Sequence, residues 1–139
     1  MDRSVVEQKL ESLRRCIARV RAKCPQDPAT LARDIDAQDI VTLNLTRAVQ
    51  ISIALAAHLI ASREVPVPGT MGQVFEALST LRLITPELAT RMKKAVGFRN
   101  IAVHNYDAID WQIVHRICQT NLDDFRNFAQ CIEKQCEKQ

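Results

Sequence analysis

Apolar side chains recur at Val6, Leu10, Leu13, Ile17 and Val20, the three-and-four spacing of one helical face. This stripe predicts a first helix from about Ser4 to Lys23, closed by Pro25 and Pro28. From about Asp36 to Ser62 the chain is apolar on nearly every side, which predicts a long second helix packed against several neighbours or against a second subunit. Val65-Pro66-Val67-Pro68-Gly69 breaks the pattern, and Thr70 with Gln73 three residues on has the form of a capping box opening a third helix through about Arg82. Thr85-Pro86-Glu87 repeats the start signal, with an N-cap hydroxyl, a proline where no N–H is needed and an acid at the positive end of the dipole. The fourth helix that follows carries Leu88, Met92, Val96, Arg99 and Val103 on one stripe. Asp107 or Asp110 can cap a fifth, with Val114, Ile117, Asn121, Phe125, Phe128 and Ile132 along one face. The expected fold is all-α, an up-and-down bundle of about five helices forming one domain over residues 1–139.

Composition agrees with that reading, since 47% of residues are hydrophobic, only 4% are aromatic and there are three glycines. A net charge of +3 means that any contact with nucleic acid has to come from a local basic patch. The five cysteines are odd in number and form no Cys-x-x-Cys pair, and the N-terminus lacks an apolar signal core, so a cytoplasmic location is expected. Asn44, Arg47 and Gln50 interrupt the one long apolar region, Ile40 to Ile60, which makes it a poor membrane span. The three histidines are isolated and no acidic cluster has ligand spacing, so neither a metal nor a cofactor is expected.

Arg99 stands where the stripe calls for a hydrophobe, with Asn100, His104 and Tyr106 close behind it. A guanidinium in such a place needs an anionic or carbonyl partner, because breaking a buried pair costs roughly 3–5 kcal/mol. On a regular helix Arg99 and His104 point about 140° apart, so their convergence requires the helix to end close to His104, where Asn105 and Asp107 are natural enders. Together the two side chains suit a phosphodiester: the guanidinium grips phosphate oxygens and the imidazole moves protons. RNA brings its own nucleophile, the 2′-hydroxyl, so no metal is required. One imidazole cannot both deprotonate that hydroxyl and protonate the leaving oxygen, which predicts a homodimer with a shared cleft. Arg91, Lys93 and Lys94 are placed to guide a phosphate backbone toward it. His58 and His115 read as packing or surface residues, Trp111 as a packing anchor and the basic side chains of the first helix as a solvated face, while the cysteines receive no role.

Arg99-Asn100, His104 and Tyr106 spell Arg-Asn-x-x-x-His-x-Tyr, preceded by Lys93-Lys94-Ala95-Val96-Gly97-Phe98. The motif resembles that of the HEPN domains of the HepT-like toxin group. Asp39-Ile40-Val41, Asn44-Leu45-Thr46-Arg47 and Ala56-Ala57-His58-Leu59-Ile60 resemble the long second helix of that family. The resemblance implies a dimeric ribonuclease toxin with Arg99, Asn100 and His104 of both subunits lining one cleft. It also implies a small nucleotidyltransferase antitoxin as partner, which transfers AMP from ATP onto Tyr106. Such a group would bring negative charge beside Arg99 and occupy the anion site meant for RNA. The chain departs from many relatives at Gln50 and Ala54, where they carry acids. Asp39 is then the best candidate acid for holding Arg99 or His104, with Asn44 and Arg47 next. The alternative is a non-catalytic module that binds nucleotide or RNA, or a scaffold for the transferase.

Overall fold

In the computed structural model, which describes residues 2–137, the chain is a helical bundle built around one long helix. Helix α1 (Arg3–Lys23) starts at Asp2, whose carboxylate accepts from the N–H groups of Ser4 and Val5. It buries the whole predicted stripe, Val6, Leu10, Leu13, Ile17 and Val20, together with Cys16. Asp27 then caps a four-residue helix, α2 (Pro28–Leu31), by accepting from Ala29 N–H at 2.9 Å. So short an element leaves no periodicity to read, and Pro28, expected only to end the first helix, opens this one.

Helix α3 (Ile35–Ser62) is capped by Asp34 and forms the spine of the molecule, with α1 lying along it. Helices α4 (Met71–Thr80) and α5 (Pro86–His104) pack on it as a second pair. By length and composition α3 could cross a membrane, yet half of its most apolar stretch is buried inside the bundle. At α4 the expected capping box does not form, since Thr70 makes no side-chain cap bond. The exit of α4 is tighter: Arg82 takes a left-handed conformation, φ 60°, and Leu83 N–H bonds back to Leu78 O at 2.9 Å. Thr85 does cap α5, its hydroxyl accepting from Leu88 N–H at 3.1 Å.

A single 3₁₀ turn (Tyr106–Ala108) follows, and then α6 (Trp111–Thr120), capped by Asp110, and α7 (Leu122–Glu137). The predicted fifth helix is therefore two, broken at Asn121. There the Thr120 hydroxyl donates to the Asn121 amide oxygen at 2.8 Å, and Asn121 Nδ2 donates to Asp124 at 3.2 Å. These local bonds compete with the helical ladder, and the backbone departs to φ −115°, ψ 0°. The described residues thus form seven α-helices rather than about five.

Helix α7 crosses α1, α3 and α5 and closes the core. Phe128 on α7 and Phe75 on α4 are fully buried and meet edge to face at 5.6 Å and 78°. Phe128→Ala removes this contact and leaves a cavity, so urea unfolding should show a loss of about 3–5 kcal/mol. A change under about 1 kcal/mol would mean that α7 does not close the core.

Candidate active site

Leu88, Met92 and Val96 point into the core, whereas Val103, on the same stripe, is 49% exposed. Helix α5 therefore leaves the core at Arg99, and the guanidinium sits half-buried at that border. Its Nη1 donates to Asn100 Oδ1 at 3.1 Å, while its Nε is buried with no partner among the described residues. A buried donor left unmatched is costly, by about 1–3 kcal/mol, and marks a group available to an incoming acceptor.

Helix α5 is regular to its last residue, His104, and closes with Asn105 N–H bonded to Ile101 O at 2.8 Å. The helix ends where convergence requires. Its regularity nonetheless sends the exposed imidazole off about 140° from Arg99 within one chain. The two side chains face opposite flanks of the helix end.

Asn105 then turns the chain, at φ −150° and ψ 64°, and places Tyr106 in the 3₁₀ turn. The ring is 41% exposed, lies edge-on to Trp111 at 5.9 Å, and donates its hydroxyl to Asp39 Oδ1 at 3.2 Å. Partial burial, and then the neighbouring Asp39 carboxylate, raise the phenol above its ordinary pKa, so it is protonated at neutral pH. Asp39, expected to hold Arg99 or His104, holds Tyr106 instead. Thr42, one turn along α3 from Asp39, has a buried hydroxyl without a partner among the described residues. Asp39 and Tyr106 are 67 residues apart, and no local pattern predicts their meeting.

The other expected residues are distributed differently. Asn44 is buried, and its Nδ2 donates to Ile40 O of its own helix at 2.8 Å. Arg47 lies on a neighbouring groove between α1 and α3. Arg91 is 3.6 Å from Asp124 and Lys93 is ion-paired with Glu76. Lys94 has no ion-pair partner among the described residues and borders an apolar hollow of about 590 Å³ between α5 and α6. No group of three or more His, Cys, Asp or Glu side chains that could hold a metal occurs among the described residues. His115 packs as expected, its Nε2 2.9 Å from Pro25 O.

The family model described as "Ribonuclease HepT-like" matches residues 13–132, which take in both the α3 acid and the whole α5 motif. The chain belongs to the HepT-like family. Among the relatives of this HepT-like protein is one named mRNA nuclease HepT, from Shewanella oneidensis, 33% identical over 129 residues that span 93% of this chain and 96% of the relative. A solved structure of a tri-AMPylated HEPN toxin of the same organism, in complex with an MNT antitoxin, superposes with a TM-score of 0.89 at 33% identity. That match covers 96% of the HepT-like chain and 99% of the toxin. The cytosolic protein YutE of Bacillus subtilis has the same fold, with a TM-score of 0.84 over 99% of this chain and 92% of its own, at 16% identity.

Proposed function

We propose that this protein is an endoribonuclease toxin of a toxin–antitoxin pair, neutralised when a nucleotidyltransferase antitoxin adds AMP to Tyr106. The observation that carries the reading is the end of α5, where an orphaned guanidinium, an exposed imidazole and an exposed phenol lie within eight residues. The S. oneidensis relatives, one an mRNA nuclease and one a tri-AMPylated toxin in complex with an MNT antitoxin, support this reading.

In this reading Arg99 grips the scissile phosphate and Asn100 holds the guanidinium in orientation through the 3.1 Å bond. The divergence of Arg99 and His104 within one chain favours a cleft completed by a second copy. One imidazole takes the proton of the 2′-hydroxyl as the 2′-oxygen bonds to phosphorus. The imidazole of the other copy protonates the 5′-oxygen as the P–O5′ bond breaks, leaving a 2′,3′-cyclic phosphate. Ile101 and Val103 supply exposed apolar surface within the motif for such a pairing. The unit is one helical domain, works in the cytoplasm and uses no metal.

Silencing, in this reading, acts through charge and bulk. The Tyr106 oxygen attacks the α-phosphorus of ATP, pyrophosphate leaves, and Asp39, already accepting from the hydroxyl, is placed to take the proton. The new phosphodiester stands two residues from His104 and competes for the anion site at Arg99. Incubating purified, unmodified protein with a defined RNA in EDTA should give cyclic-phosphate ends. Binding without turnover would support a non-catalytic module instead, and cleavage abolished by EDTA would remove the metal-free mechanism.

A further inference from the structure

Helix α1 carries Arg14, Arg15, Arg19 and Arg21, and the fold sorts them into two sets. Arg14 is ion-paired with Glu133, and Arg21 with Asp123 at 2.9 Å, both on α7. Arg15 and Arg19, on successive turns, face the other way into a groove of about 600 Å³ between α1 and α3. Arg47 enters the same groove from α3, and among the described residues none of these three guanidiniums has an ion-pair partner. The buried Cys16 thiol borders the same groove, close enough for Arg47 and Arg15 to oppose the rise in its pKa caused by burial.

Three exposed positive charges lining one groove without an ion-pair partner among the described residues repel one another weakly through solvent and together set up a local positive potential. A polyanion relieves that repulsion. The groove also joins the site already described. Asp39, Leu43 and Arg47 succeed one another at i, i+4 and i+8 along one ridge of α3, about 12 Å from first to last. Leu43, half-exposed at 49%, forms the apolar step between the two.

Resting on the ribonuclease reading, we infer that Arg15, Arg19 and Arg47 form a docking track for the phosphate backbone of single-stranded RNA, a few nucleotides from the bond that is cut. The span from Asp39 to Arg47 suits a strand leaving the cleft over Leu43, with each guanidinium gripping a phosphate oxygen. Sequence is not read there, because phosphate contacts position a strand without distinguishing bases. The track makes substrate length, rather than base identity, its signature.

The test uses the full chain carrying Arg15→Gln and Arg19→Gln, with folding checked by circular dichroism. Binding of a 20-nucleotide RNA, measured at several salt concentrations in a His104→Ala background, should show a salt slope shallower by about 1.4, or roughly 0.7 per lost contact. Cleavage of the 20-mer should lose about tenfold in kcat/KM, while a trinucleotide substrate is cut as before. Should the double variant misfold, Arg19→Gln alone should reduce the slope by about 0.7, as should Arg47→Gln. An unchanged slope, or an equal loss on both substrates, would overturn the track. So would intact RNA binding with weakened capture of an acidic protein partner. If the variants lower the slope as expected but the wild-type chain cuts neither RNA, the ribonuclease reading falls and the phosphate-binding track stands without it.

Discussion

Replacing His104 with Ala is expected to lower RNA cleavage by about 10²–10⁴-fold, the usual contribution of a positioned general acid–base group. The imidazole is exposed at the last position of α5 and has no hydrogen-bond partner among the described residues. Its removal therefore leaves the packing intact and forfeits only a favourable dipole interaction of about 0.3–1 kcal/mol. The measurement pairs kcat/KM on a defined RNA with a thermal melt. A folded variant with full activity would end the assignment, whereas activity lost together with the fold would call for His104→Gln, which keeps a polar group at the helix end.

A change of one oxygen atom at Tyr106 should have an equally large effect on regulation. Tyr106→Phe keeps the ring against Trp111 and gives up only the exposed hydrogen bond to Asp39, so the bundle should fold as before. With the nucleophilic oxygen gone, co-expression with the nucleotidyltransferase should add no AMP mass to the protein, and cells should stay arrested even though the antitoxin is present. AMP mapped elsewhere on the variant would move the acceptor. An unmodified but silenced variant would mean that the antitoxin acts by binding alone.

Much of this architecture was legible because amphipathic stripes and start signals are local. Val6 to Val20 had to face a core, and Thr85 ahead of Pro86 had to open a helix, as both do. The break at Asn121 was hidden because the apolar stripe from Val114 to Phe125 continues across it, and only the side-chain bonds of Thr120 and Asn121 mark the interruption. At Thr70 the capping residues were present, but no cap bond was made. The motif from Arg99 to Tyr106 could be read because its members are close in sequence. Asp39 could be picked out as an acid, but its partner depends on how α3 lies against the end of α5. For the same reason the basic side chains of the first helix looked like one solvated face, and only the packing of α1 between α3 and α7 separates the neutralised arginines from those without an ion-pair partner among the described residues.

The contrast between α3 and the Asn105–Asp110 segment has a kinetic consequence. Amides in the buried middle of α3 can exchange with solvent only when the whole bundle opens, because that helix touches nearly every other element. The short turn bearing Tyr106 has no buried residue and is held by the Asp39 hydrogen bond and the Trp111 edge contact, so opening it costs far less than opening the bundle. In the proposed reading, such an opening would present the phenol to a transferase while Arg99, one turn past the buried Val96, stays in place.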